Sequence, residues 1–185
     1  MGRNPDSELK ANLLQAVLQY LLEHSIQGLS LRPLAKAIGT NARMLIYHFG
    51  SKEQMIVQAL ELAQQLQLEA LQKSPRPEAN SKAELLYLWT WFSSDEFLAF
   101  GKLLFEVEVL SINGDPHYQA FATNILEGWV SFIESRFEAC DSTTANVIVN
   151  TFSGLLLDLL VTKDTERINA SFHAFATLIT KDNLL

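Results

Sequence analysis

The sequence has a single cysteine and none of the residue patterns that mark common enzyme sites. Because Cys140 is alone in 185 residues, an intramolecular disulfide framework is excluded, and a reducing, cytoplasmic setting is favoured. There is no glycine-rich phosphate loop, no HExxH, no CxxC and no Glu-x-x-His pair, and the four histidines are widely scattered. We therefore predict that the protein is not an enzyme and that it holds no cofactor and no metal.

Long uninterrupted apolar runs are also missing. Glu106 and Glu108 interrupt LLFEVEVL, and Asp158 interrupts LLLDLLV, whereas a membrane-spanning helix needs about 20 predominantly apolar residues. The first residues do not resemble a signal peptide. With 48% apolar residues, the chain should nevertheless fold around a core. These features predict a soluble protein with no membrane partner.

Positive charge is scarce, but it is unevenly distributed. The net charge is −7; residues 1–53 hold six Lys/Arg and four Asp/Glu, a net +2, while residues 54–185 hold eight bases and 17 acids, a net −9. This asymmetry indicates that an N-terminal module could approach a polyanion while the acidic remainder stays away from it.

Apolar residues recur at helical spacing along almost the whole chain, and no long alternating run indicates a sheet. The fold class predicted is therefore all-α, with about nine helices. A first helix ends before Gly28, and a third follows the turn at Gly39. The candidate helix caps are Ser30, Thr40 or Asn41, Ser51 and Asp141. The other predicted helices cover residues 31–38, 51–73, 82–93, 95–111, 116–138, 142–162 and 164–181, and SPRPEANS (74–81) is predicted to be a linker.

The segment LRPLAKAIGTNARMLIYHF has the outline of a helix-turn-helix, in which the second helix enters the major groove of DNA. On a helical wheel, Ala42, Leu45 and Phe49 share a face suited to burial. The opposite face carries Thr40, Arg43, Met44 and Tyr47. Arg43 could bond guanine, Met44 could touch a thymine methyl and Tyr47 could reach a phosphate. The alternative is that this face is merely solvated.

The stretch from about Leu9 to Met55 closely resembles the DNA-binding domain of the TetR family of transcriptional repressors. The resemblance is carried by GLSLRPLAKAIG (28–39) and HFGSKEQM (48–55). It implies a domain at residues 1–53 that binds double-stranded operator DNA, and a helical domain at 54–185 that dimerises and binds an unknown small-molecule effector. Residues 54–73 would form the connecting helix between them, which we expect to move when the effector binds.

Individual roles also follow from the resemblance. Arg32 occupies a position that often reaches a base or a phosphate, Lys52 matches a phosphate-binding lysine, and the backbone-contacting end of the reading helix carries Tyr47 and His48. His48 could equally make a structural hydrogen bond. The base-reading segment would be Thr40, Asn41, Ala42, Arg43 and Met44.

Two departures from the family pattern stand out. Thr40-Asn41 replaces the usual Val-Ser after the turn glycine, which keeps a helix cap but loses a small apolar residue. Ile46 occupies the position of the family's tyrosine two residues before the histidine. We therefore ask whether Tyr47, one residue later, makes that tyrosine's phosphate contact.

The last two predicted helices are apolar over most of their circumference, so each needs cover on two sides. One side could face its own domain and another a second copy of the chain, although burial within a monomer is the alternative. A two-fold dimer would place two reading helices one DNA turn apart on a palindromic operator. The residues predicted for the dimer interface are Phe152, Leu156, Leu159, Leu160, Phe172, Phe175 and Ile179.

Aromatic residues are concentrated between residues 87 and 132, where they could line a ligand pocket or simply form the core. Polar residues among them would bind a cationic or hydrogen-bonding ligand if they face a cavity. The candidates for the pocket are Trp89, Phe92, Phe105, Glu106, Asn124, Trp129 and Asn150. The predicted function is that of a ligand-responsive transcriptional regulator, and the alternative is a dimeric helical adaptor that has lost operator binding.

Overall fold

The computed structural model describes residues 5–74, 77 and 80–181. In these ranges the chain forms nine helices and no strand, which confirms the all-α prediction. The helices are α1 (Pro5–Glu23), α2 (Leu31–Ala37), α3 (Ala42–Phe49), α4 (Lys52–Lys73), α5 (Ser81–Phe92), α6 (Asp95–Ile112), α7 (Pro116–Arg136), α8 (Ser142–Thr162) and α9 (Thr165–Lys181).

Capping side chains explain where several helices begin. The side chains of Asn41, Asn80 and Asp141 accept hydrogen bonds from the backbone N–H three residues later, at the starts of α3, α5 and α8. The bond from the Thr144 amide also lowers the pKa of Asp141 below its usual value. Asn80 falls within the predicted linker, of which residues 75, 76, 78 and 79 lie outside the described part of the chain.

The chain divides into two compact units. The first comprises Met1–Glu69 and Leu103–Thr123, and the second comprises Ala70–Lys102 and Asn124–Leu185. The boundaries between the units fall inside α4, α6 and α7, so three helices contribute residues to both. The predicted domains, 1–53 for DNA binding and 54–185 for dimerisation and effector binding, are defined by function and not by compactness. This division stays a prediction.

The first unit buries one face of each helix of the helix-turn-helix. Val17 and Leu21 of α1, Leu34 of α2 and Leu45 of α3 have no exposed surface. The turn from α2 to α3 passes through Gly39 with φ +74°, a backbone conformation that glycine adopts without steric cost. The predicted glycine turn is therefore confirmed.

The second unit has an aromatic core formed mainly by α5, α8 and α9. The Trp89 ring stacks on Phe172 with centroids 4.6 Å apart, and the Trp89 Nε1–H donates to Asn169 Oδ1 at 2.8 Å. Phe92 packs edge-on against Trp129 and Phe152. Rings in these geometries contribute more than their buried area alone.

A buried ion pair lies in the same unit. The Nε of Arg136 on α7 donates to Glu84 Oε1 on α5 at 2.5 Å, and Nη1 donates to the Leu71 carbonyl at 3.3 Å. Both charged residues are buried. Leu71 lies in the last turn of α4, where carbonyls have no partner within the helix. Arg136 therefore joins α5, α7 and the end of α4.

One helix contradicts the expectation that no segment is long and apolar enough to cross a membrane. Helix α8 has 21 residues and meets that criterion by length and composition. The single charged residue Asp158 does not make the helix too polar to meet the criterion. A single such helix is weak evidence of a span, because core helices of soluble proteins meet the same criterion.

Candidate functional site

Helix α3 separates its side chains as the wheel predicts. Leu45 and Phe49 are buried in the first unit, and Ala42 is half-buried beside them. On the opposite face Arg43 and Tyr47 are exposed, while Thr40 and Met44 are half-buried. The exposed face can therefore offer a guanidinium, a phenol and a hydroxyl to a groove of DNA, although contact with bases stays a prediction.

Asn41 has a structural function at the start of α3. Its backbone is extended, with φ −131° and ψ 158°, and its Oδ1 accepts the Met44 N–H at 3.0 Å. This bond satisfies one of the amides that a helix leaves unpaired at its first turn. The carbonyl oxygen of the Asn41 side chain therefore already accepts one hydrogen bond, while its amide nitrogen is free of this cap.

Asn41→Ala should lower the free energy of unfolding by about 1 kcal/mol through the loss of this cap. Ser30→Ala is the matched control, because Ser30 also stands before a helix but its side chain makes no capping bond. Urea unfolding followed by circular dichroism measures both. An equal loss in the two variants would show that the Asn41 side chain does not stabilise α3.

Arg32 and Lys52, the two cations outside α3 that are predicted to contact DNA, lie at the beginnings of α2 and α4. Arg32 is exposed in the first turn of α2. Lys52 is the first residue of α4, its Nζ lies 3.4 Å from the Leu29 carbonyl oxygen and 4.0 Å from Glu53 Oε1, and 36% of its side chain is exposed. The positive end of the α4 dipole adds to the charge of Lys52 at this point.

Ile46 and Tyr47 are both on the surface of α3. Ile46 is 40% exposed and Tyr47 is 69% exposed. The phenol of Tyr47 therefore extends into solvent. Tyr47 follows Ile46, which occupies the position of the family's tyrosine. Its exposure is compatible with a phosphate contact, and that contact stays a prediction.

His48 is largely buried on α3. Only 3% of its side chain is exposed, with Nδ1 3.9 Å from Asp6 Oδ1 and the ring edge-on to Tyr47. Its Nε2 is buried and has no hydrogen-bond partner among the described residues. This burial disfavours a phosphate contact, but the ring also lacks the structural hydrogen bond of the alternative, so the role of His48 stays a prediction.

The seven predicted pocket residues differ in burial and in the unit to which they belong. Trp89, Phe92 and Trp129 are buried in the aromatic core of the second unit, whereas Asn124 and Asn150 are exposed. Phe105 and Glu106 belong to the first unit, and Glu106 accepts hydrogen bonds from the Ser25 hydroxyl and the Ile26 amide. Periodicity could not show these two hydrogen-bond partners of Glu106, and the pocket itself stays a prediction.

The residues predicted for the dimer interface differ in their exposure, and their part in a dimer stays a prediction. Five of its seven residues are buried within their own chain: Phe152, Leu156, Leu159, Phe172 and Ile179. Leu160 and Phe175 are half-buried. The exposed apolar residues of the same helices are Val147, Leu157, Val161 and Leu178. Because α8 is apolar nearly all round, its sequence did not show which stripe faces inward.

A groove of about 410 Å³ lies between the beginning of α8 and the end of α9. It is lined by Thr143, Thr144, Val147, Phe175, Leu178 and Ile179. The lining is almost entirely apolar, and two of the exposed apolar residues, Val147 and Leu178, belong to it.

Comparisons with known proteins agree with this architecture. Residues 13–59 match the family described as bacterial regulatory proteins, tetR family. No match is found among curated protein sequences.

Solved structures with the same fold include the multidrug binding protein EbrR in complex with ethidium, with 23% identity, a TM-score of 0.73, and coverage of 92% of this chain and 97% of that one. A transcriptional regulator from Rhodococcus sp. Rha1 has 17% identity and a TM-score of 0.78, with 94% and 96% of the two chains covered. A TetR-family member from Streptomyces coelicolor A3 has 23% identity and a TM-score of 0.70, with 92% and 96% covered. The chain therefore has the same fold as these proteins, and its residues 13–59 match the tetR family of bacterial regulatory proteins.

Proposed function

We propose that the protein is a dimeric transcriptional repressor that binds a palindromic operator through α3 and leaves it when a small molecule binds. The observation that carries the proposal is the two-faced α3. Its buried face holds Leu45 and Phe49, and its exposed face presents Arg43 and Tyr47. A short helix of this kind in a matched TetR-type domain has the geometry of a recognition helix.

The exposed apolar surface of α8 and α9 supports the dimer. Val161 is 74% exposed and Leu178 is 68% exposed, and Leu178 lines the apolar groove. Such a surface is costly in water, and a second copy of the chain would cover it. Two-fold symmetry would then present two copies of α3 to a palindrome.

The fold shared with EbrR in complex with ethidium supports control by a small molecule. Ethidium is a flat aromatic cation, and the second unit of this chain has a core rich in aromatic rings. An effector would have to bind the released form more tightly than the operator-bound form, since equal affinity for both would leave the equilibrium unchanged.

One observation favours a second candidate, a dimeric adaptor without an operator. Ile46 is an exposed aliphatic side chain where the family has a tyrosine. If Tyr47 does not replace the missing phosphate contact, operator affinity falls and the helical body could act through protein or ligand binding alone.

Binding to DNA selected from a random pool, and to the DNA upstream of its own coding sequence, tests the repressor against the adaptor. A repressor should enrich a palindrome and bind it with a steep dependence on salt. Lys52→Ala should reduce the log–log salt slope by about 0.9 if it removes one phosphate contact. Failure of the wild-type protein to prefer any sequence over random DNA would exclude the repressor.

Arg43→Ala should reduce discrimination at one base pair per half-site by about 1–3 kcal/mol while leaving the other positions unchanged. Fluorescence anisotropy on a set of single-base operator variants measures this. Lys36→Ala is the control, since Lys36 is also an exposed cation of the helix-turn-helix but lies outside α3. Uniform weakening across all sequences would assign Arg43 to the phosphate backbone instead.

A further inference from the structure

Ile46 is an exposed aliphatic side chain beside the polar residues that α3 offers to DNA. It is 40% exposed, and Arg43 and Tyr47 are exposed as well. Residues three apart in a helix lie on the same face, so Ile46 neighbours Arg43. A single exposed aliphatic residue needs no explanation on an ordinary protein surface. This one lies within the surface that is proposed to enter a groove of DNA, and its chemistry therefore bears on which bases are bound.

The major groove of DNA presents one apolar group to such a side chain. The base edges carry hydrogen-bond donors and acceptors, and the C5-methyl group of thymine is the exception. Ile46 has no donor or acceptor of its own beyond the backbone. Among the other apolar residues of α3, Leu45 and Phe49 are buried, and Ala42 and Met44 are half-buried. Ile46 is therefore the aliphatic side chain of α3 best placed to contact a thymine methyl.

The conformation of Ile46 is also restricted. In a helix, a β-branched side chain such as isoleucine adopts one χ1 rotamer in about 90% of cases. Its backbone carbonyl accepts the Gly50 N–H at 2.8 Å, in the last turn of α3. Little side-chain freedom is therefore lost when Ile46 packs against a base, and its methyl groups occupy a defined place on the helix surface.

The spacing of Ile46 and Arg43 matches the spacing of base pairs. Three residues of a helix rise about 4.5 Å along its axis. Successive nucleotides of one DNA strand are about 3.4 Å apart along the duplex. With α3 in the major groove, Arg43 can therefore bond a guanine while Ile46 packs against the methyl group of a thymine in the next base pair.

We propose that Ile46 is a specificity-determining residue, which contacts the C5-methyl group of a thymine adjacent to the base pair bound by Arg43. The inference rests on the proposed function, because it assumes that α3 binds an operator. It assigns Ile46 a function in base recognition that does not depend on whether Tyr47 contacts a phosphate.

The test removes only methyl groups from the DNA. Each thymine of the half-site selected by the wild-type protein is replaced in turn by uracil, in both half-sites, and fluorescence anisotropy measures the affinities. At one thymine the substitution should weaken wild-type binding about fourfold for each half-site, as expected when one buried methyl group is lost. When this thymine is instead replaced by cytosine, methylation of that cytosine at C5 should strengthen binding by a similar factor.

The protein variants assign the methyl contact to a side chain. Ile46→Ala should bind the thymine and uracil operators equally, whereas Ile46→Val keeps the β-branch and should retain most of the preference. Leu9→Ala is the matched control, because Leu9 is an aliphatic residue of similar exposure, 44%, on α1. It should keep the wild-type ratio of affinities. Alanine is a better helix former than isoleucine, so Ile46→Ala should fold, and circular dichroism checks this.

The possible failures are distinguishable. Selection of no sequence by the wild-type protein would overturn the proposed function and the inference with it. A selected palindrome that tolerates uracil at every thymine would overturn the inference alone, and so would a thymine preference that persists in Ile46→Ala. If Met44→Ala abolishes the preference while Ile46→Ala keeps it, Met44 makes the contact and the inference is refuted. A preferred thymine that is not adjacent to the base pair affected by Arg43→Ala would also contradict it.

Discussion

Arg136→Ala should lower the free energy of unfolding by about 3–5 kcal/mol, because it leaves the Glu84 carboxylate buried without its partner. Both residues are almost fully buried, and Arg136 Nη1 additionally bonds the Leu71 carbonyl. Removal of the guanidinium therefore strands the Glu84 charge, whereas the Leu71 carbonyl keeps the Ser74 hydroxyl and amide as donors. Chemical denaturation, monitored by circular dichroism, measures the loss.

Arg167→Ala is the matched control for burial. Arg167 also makes bidentate bonds to a carboxylate, at 2.8 Å to each oxygen of Asp158, and these bonds lower the Asp158 pKa. This pair lies on the surface, where water solvates the remaining charge, so its loss should change stability far less. Glu84→Leu combined with Arg136→Met should recover most of the stability lost in Arg136→Ala. If Arg136→Ala and Arg167→Ala lowered the free energy of unfolding by similar amounts, burial of the ion pair would not explain the loss.

Trp89→Ala should be destabilising by about 3–5 kcal/mol, as expected for an aromatic side chain removed from a packed core. Trp89 stacks on Phe172, meets Phe152 edge-on and donates to Asn169. The sequence left open whether Trp89 lines a ligand pocket or belongs to the core. Removing a ring that only lines a cavity should lower the free energy of unfolding less than removing a core ring. Thermal and denaturant unfolding of the unliganded protein measure it.

Trp91→Ala serves as the comparison, since Trp91 lies on the same helix two residues later and is half-buried. Its loss should cost less than about half as much, in proportion to the smaller area it buries. Trp89→Phe keeps an aromatic ring but removes the hydrogen bond to the half-buried Asn169 and part of the indole, so it should cost less than Trp89→Ala. If Trp89→Ala cost no more than Trp91→Ala, the assignment of Trp89 to the core would be wrong.

The sequence predicted the helices well because their ends depend on neighbouring residues. As expected, Asp141 caps α8, and Gly39 forms the turn that follows α2. Each of these residues lies within a few residues of the helix boundary that it determines. The two faces of α3 were predictable for the same reason. Leu45 and Phe49 are four residues apart, so helical geometry alone places them on one side.

Contacts between distant residues could not be predicted in this way. Glu106 and Ser25 are 81 residues apart, so the sequence shows Glu106 only as a carboxylate among apolar neighbours and gives no sign of its hydrogen bond to the α1–α2 connection. On α8, apolar residues occupy nearly every side, and the buried stripe that includes Phe152 and Leu156 is selected only by packing against α5 and α9. The sequence therefore shows that α8 is apolar on several sides, but it does not show which of those sides is buried within the chain.

The bond from Arg136 to the Leu71 carbonyl attaches the end of α4 to a buried ion pair. A guanidinium carries several N–H donors in one plane, so this single side chain can neutralise Glu84 and bond a main-chain carbonyl through different nitrogens. A lysine at the same position would have one nitrogen for both partners, and the two side chains are therefore not interchangeable here.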